Sequence, residues 1–202
     1  MKAFQATMFG TAALAIALTA QAQDYRAQAI SMMQRDFHAK GIASKDRLNE
    51  DALQTICNRS NNNPPKDVGE RLQQDQFEAI KYPADGKFLG DWKSGEKLAQ
   101  GGRGMTWSDK AGQVNGGSCY NCHQIGPATT SFGTIGNSLF HFGKIRGNTT
   151  ATQKYVYGKI YNAKAFNLCS TMPRLGHSNT LTEKQIKDLV ALLLDPNSPV
   201  NK

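Results

Sequence analysis

Apolar positions along the chain recur mostly at three- and four-residue spacing, the period of a helix with one buried face. From Tyr25 to Lys40 the repeat is carried by Ile30, Met33 and Phe37, and Gly41 stands where a helix end takes a glycine. Leu48, Leu53 and Ile56 mark a second helix ahead of Cys57, and RSNNNPPKD, from Arg59 to Asp67, breaks it. A third helix covers about Val68 to Ile80, and Tyr82-Pro83-Ala84-Asp85-Gly86 reads as a turn. Asp91 can cap a short helix that reaches Gln100 and stops at Gly101-Gly102-Arg103-Gly104. Thr106 to Arg146 is glycine-rich and lacks helical periodicity apart from a cysteine motif, so loops are expected there. A helix from about Thr152 to Asn162 precedes a loop containing LCSTMPRLG, Leu168 to Gly176. The last helix is the best marked: Thr182 and Gln185 form a capping box, Leu181 and Ile186 staple it, and Ile186, Leu189, Val190 and Leu193 share a face before Pro196 ends it.

Strand signals are few, so the fold class is mainly α. Short helices joined by long glycine-rich loops make a thin core for 202 residues. Something apolar that is not protein should fill the interior. The length allows one well-buried domain and a satellite.

The N-terminus changes the compartment. Lys2, an apolar run of about 12 residues from Phe9 to Ala20, and the A-x-A pair Ala20 and Ala22 read as a secretory leader, residues 1–22, cut after Ala22. The run is too short to cross a bilayer, which takes about 20 residues. The reading is therefore a leader, a helical extension over residues 23–80 and a second domain over residues 81–202, in a chain exported to the periplasm with no membrane span. The formal charge is +8, or +7 once Lys2 leaves with the leader. Such a surface favours an acidic protein partner, and with no dense Lys/Arg run nucleic acid is not expected.

The chemistry centres on Cys119-Tyr120-Asn121-Cys122-His123. In a helical turn the two thiols and the imidazole point the same way. Two sulfurs can add to the vinyl groups of a flat macrocycle while the imidazole reaches its iron, and C-x-x-C-H is the signature of c-type haem attachment. A zinc site would need a fourth ligand and usually a second paired motif, and a thioredoxin-like pair would need an α/β setting. The cofactor expected is one covalent haem c, with His123 as proximal ligand.

For the distal ligand the leading candidate is Met172, in a loop and followed by the backbone-restraining Pro173. His/Met ligation raises the reduction potential and suits electron transfer. The rivals are Met105, close before the attachment site, and His141 and His177. Met32 and Met33 read as packing residues, and His38 as an exposed residue of the extension. Cys57 and Cys169 remain. In an oxidising compartment they can pair, tying the extension to the loop that presents Met172 and contributing roughly 4–5 kcal/mol in the chain-entropy model. A Cys169 thiolate on the iron is the alternative.

Four segments carry a resemblance: YPADGKFLGDWKSGEKLAQGGRGMTWSD (Tyr82 to Asp109), GGSCYNCHQIGP, GTIGNSLFHFGKIRG (Gly133 to Gly147) and TMPRLG (Thr171 to Gly176). Together, over roughly residues 60 to 195, the chain resembles the SoxX family, small c-type cytochrome subunits of the SoxAX complex of bacterial sulfur oxidation. The resemblance implies a class I cytochrome c fold, haem on Cys119 and Cys122, and ligation by His123 and Met172. It also implies a heterodimer with a SoxA cytochrome that joins thiosulfate to a cysteine of the SoxYZ carrier, an L-cysteine S-thiosulfotransferase activity whose substrate-handling haem lies on SoxA. This chain would pass electrons to a small soluble acceptor such as another cytochrome c. One departure stands out: the family usually has Gly-Pro before Ser-Leu, and this chain has Gly136-Asn137-Ser138-Leu139. The proline carbonyl commonly orients the proximal histidine, a role any residue's carbonyl can fill. Two other readings of the residues are a free-standing periplasmic electron shuttle and a peroxidase-like or ligand-sensing haem with an open sixth position.

Overall fold

Asp51, Asp91, Thr149 and Thr182 each begin a helix by accepting hydrogen bonds from its otherwise unpaired first-turn N–H groups. The computed structural model describes residues 25–127 and 131–202. The leader and its cleavage after Ala22 lie outside the described residues. Within them regular structure is helical, and β pairing is confined to an isolated antiparallel bridge between Lys40 and Ala43. Among the described residues no helix is long and apolar enough to cross a membrane.

The chain forms two compact units, one with residues 25–39 and 44–48, the other with residues 40–43 and 49–202. The first contains α1 (Tyr25–Asp36), which buries none of its residues, and a 3₁₀ turn at Lys45–Leu48 whose Lys45 Nζ donates to Gln34 O at 2.8 Å. α1 stops short of Lys40 because Lys40 N–H and C=O are taken by Ala43 across a turn in which Gly41 has φ +54°. Only glycine fits there, since a Cβ would lie 2.0 Å from Trp107 O.

In the second unit α2 (Ala52–Arg59) has the capping box Asp51/Gln54, buries Leu53 and Cys57, and ends in two left-handed asparagines, Asn61 and Asn62. α3 (Lys66–Glu78) follows. The sequence groups both helices with α1 as one extension, but they belong to the larger unit. Cys57 is disulfide-bonded to Cys169, Gln73 Nε2 donates to Ala165 O at 3.0 Å, and Asn162 Nδ2 donates to Gln76 O at 3.1 Å. These links span about a hundred residues, which periodicity does not register.

The frame of the unit is a close crossing of α4 (Trp92–Gln100) and α7 (Glu183–Leu194). At Gly95 the backbones touch, for a Cβ there would sit 2.1 Å from Asp188 O. Gly90 N donates to Lys187 O and Asp91 N to the buried Asp188 carboxylate, whose other oxygen accepts from Lys184 Nζ at 2.8 Å. α7 buries Ile186 and every residue from Asp188 to Leu194. Truncating one of its buried leucines to alanine should cost about 2–5 kcal/mol. α6 (Thr150–Tyr161) packs beside it with Val156, Tyr157 and Ile160 inward, and a 3₁₀ turn at Pro199–Asn201 closes the end, where Asn201 Nδ2 donates to Leu193 O at 3.0 Å. The described residues between Thr106 and Arg146 are mostly loop, as the glycines imply, with α5 (Phe142–Arg146) an addition too short for periodicity to mark.

Candidate functional site

Between these helices lies a cavity of about 370 Å³ lined mainly by apolar side chains, including Leu139, Phe142, Val156, Leu175, Leu189 and Leu193. The thin core inferred from sequence is a physical space. Cys119, His123 and Met172 all line it, although Met172 is far from the other two in sequence.

The motif is held by local bonds. It forms a single 3₁₀ turn, Cys119–Asn121, entered through Ser118 at φ 50°, rather than a longer helix. Cys122 N and His123 N both donate to Cys119 O, at 3.1 and 2.9 Å, so the chain folds back in one turn, with Cys119 and His123 on the cavity and Cys122 outside its lining. Burial pushes the Cys119 thiol up to about 11, which keeps it neutral at pH 7. Cys122, on the same turn, is half-buried.

The following loop is stitched back onto the turn. Gly133 N donates to Tyr120 O, Gly136 N to Cys122 O and Leu139 N to Gln124 O. This brings Asn137 O to 2.7 Å from His123 Nδ1. A carbonyl can only accept, so Nδ1 carries the proton and Nε2 keeps the lone pair a metal requires. Asparagine thus orients the imidazole through its backbone carbonyl. Gly136 is the seat of the ring: a Cβ would lie 2.2 Å from His123 Cε1 and 2.4 Å from Nδ1.

The Met172 loop is held from a distance. Its own backbone bonds are few: Ser170 N donates to Asn167 O, and Met172 N to Ser170 Oγ at 3.1 Å. Cys169 is bridged to Cys57, with Cα atoms 5.5 Å apart, so Cys169 is not a free thiolate for iron. Past the loop, Gly176 N and His177 N both donate to Tyr161 O.

The other ligand candidates are placed elsewhere. His141 Nε2 is 2.8 Å from Lys202 O and its ring stacks on Phe140, and it does not line the cavity. His177 is exposed, and neither it nor Met105, 41% exposed, lines the cavity. Met32, Met33 and His38 belong to the smaller unit, where Met32 and His38 are exposed. Among the described residues no group of three or more His, Cys, Asp and Glu gathers to hold a metal ion. The tetrahedral ligand set of a structural zinc is therefore absent from them, whereas a haem iron takes only two protein ligands.

Sequence reasoning missed the cations of the cavity. Arg146 and Lys159 are its cationic lining residues, and burial holds the Lys159 amine below its usual range. Tyr155, Val156, Lys159 and Ile160 form one stripe of α6, so the helical period could have shown that Lys159 faces inward with them.

No protein-family model matches the chain. A protein of Aquifex aeolicus (strain VF5) described as an uncharacterized lipoprotein is 37% identical over 169 residues, which cover 81% of this chain and 76% of the relative. Identity sustained over that share of both chains is common descent with a common fold, and the chain belongs to the family of that Aquifex lipoprotein.

Proposed function

We propose that the protein is an exported monohaem c-type cytochrome of class I architecture that serves as the electron-transfer subunit of a thiosulfate-oxidising SoxAX complex. The observation that carries the haem reading is the shared cavity: a thiol of C-x-x-C-H, an imidazole whose Nδ1 is already committed, and a thioether, all opening onto one apolar space. The residues fit a haem. Cys119 and Cys122 would anchor its vinyl carbons, His123 Nε2 and Met172 Sδ would take the two axial positions, and Arg146 and Lys159 offer cations to its two carboxylates. Bound there, haem supplies a one-electron couple whose potential His/Met ligation raises. The protein's part is to orient and enclose: Asn137 O fixes the imidazole tautomer, Gly136 sets the ring plane, and the leucines of α7 exclude water. The SoxA partner and the SoxYZ carrier rest on the four resembling segments, which reach well beyond the haem motif.

Export is supported by the leader and by the relative's description as a lipoprotein. The periplasm is the compartment in which c-type haem attachment and the Cys57–Cys169 disulfide are both expected.

The test is production in a bacterium that matures c-type cytochromes, together with a SoxA-type cytochrome. The expected product carries one covalent haem per chain, shown by intact mass and the pyridine haemochrome spectrum, and elutes one-to-one with the partner. A colourless chain with the mass of its amino acids would end the haem reading. A haem-bearing monomer that ignores SoxA and reduces an oxidase directly would end the subunit reading in favour of a free shuttle.

A further inference from the structure

The Met172 loop is gripped on both sides by one short helix. Three residues before Met172, Cys169 is bridged to Cys57 in the last turn of α2. Two residues after it, the Arg174 guanidinium is paired with the carboxylate of Asp51, the N-cap of the same helix. Asp51 thus has two tasks: one oxygen caps α2 through Gln54 N at 2.7 Å, and the other holds Arg174. The Arg174 side chain is 18% exposed, and it is flanked by the buried Lys164 and by His177, so Asp51 is the carboxylate facing three basic groups. Between the two anchors the loop has no regular structure and hardly any backbone bonding of its own.

We infer that α2 is a clamp for the Met172 loop, and that Cys57 and Asp51 are positioning residues that keep the Met172 side chain in the cavity. The inference rests on the reading of Met172 as an iron ligand, and extends it to residues more than a hundred positions away. Its physical basis is loop entropy. Six residues pinned at both ends have few conformations in which the thioether leaves the cavity, and releasing either pin opens many. Neutralising Asp51 also leaves the Arg174 guanidinium unpaired beside the like-charged Lys164, which drives Arg174 outward and draws the chain beside Met172 with it. The helix itself should survive Asp51→Asn, because asparagine caps as well as aspartate.

The experiment uses the haem-loaded, purified protein and two variants, Asp51→Asn and Cys57→Ser with Cys169→Ser. Added imidazole competes with the thioether, so its apparent affinity follows the fraction of molecules in which the loop is open. We expect that affinity to rise on the order of tenfold in Asp51→Asn and further in the disulfide-free protein. Amide hydrogen exchange should show residues 169–177 losing protection while α7 keeps it. Unchanged imidazole affinity with unchanged exchange in the loop would overturn the clamp, as would loss of protection spread evenly over loop and α7. If the native protein lacks the near-infrared sulfur-to-iron band, the ligand assignment fails instead, and the exchange pattern alone still decides whether α2 holds the loop.

Discussion

The His123 wall and the Met172 wall of the cavity are built by opposite means. Everything that fixes His123 lies within about twenty residues of it: the Cys119 carbonyl, the Gly136 seat and the Asn137 carbonyl. The Met172 loop is held by a disulfide across 112 residues, by an ion pair of Arg174 with Asp51 across 123, and by Tyr161 O. The first wall can form as soon as the local chain collapses. The second exists only once α2 has docked. With a locally determined imidazole on one side and a tethered thioether on the other, the proposed clamp makes the Met172 side the one that opens.

That contrast can be pressed experimentally. The largest effect should come from Cys119→Ser combined with Cys122→Ser: the haem no longer stays with the polypeptide on a denaturing gel, whereas Met172→Ala retains it. Equal haem retention in both proteins would erase the difference between the walls. Next comes Gly136→Ala. A methyl 2.2 Å from the His123 ring must displace the imidazole or the loop, so stability should fall by about 1–3 kcal/mol in denaturant unfolding, with the near-infrared thioether band kept. An unperturbed protein would mean that the ring is not seated on Gly136.

The smallest effect concerns pH. Burial alone would raise the Asp51 carboxyl, but the Gln54 N–H and the Arg174 guanidinium outweigh it and hold the group below its ordinary value. A depressed folded pKa contributes stability that is complete above the unfolded value of about 3.9 and is lost as pH falls through the folded one. The carboxylate is partly exposed, so Asp51→Asn should lower Tm by only a few degrees at pH 7, and the gap should close as the carboxylate is protonated in acid. A gap of constant size from pH 7 into acid would show that the charge contributes nothing.

The same contrast explains what could be read in the chain beforehand. Helix starts at Asp91 and Thr182, the C-x-x-C-H turn and the Cys57–Cys169 pair were legible because each follows from local chemistry or from elimination in an oxidising compartment. The Asn137 carbonyl at His123 was legible too, since any residue's carbonyl can fill that role. The grouping of α2 and α3 with the larger unit was not, because Gln73, Asn162 and Asp51 act through partners that no spacing rule connects. Nothing in the spacing of the chain marks Arg174 as an anchor. Its function depends on a carboxylate that folding alone brings to it.

The most direct test of the account is the near-infrared spectrum of the oxidised, exported protein. Ligation by His123 and Met172 gives a sulfur-to-iron band in the native protein that survives Met105→Ala and vanishes in Met172→Ala. A native protein without that band, or one whose band persists after Met172→Ala, would contradict it.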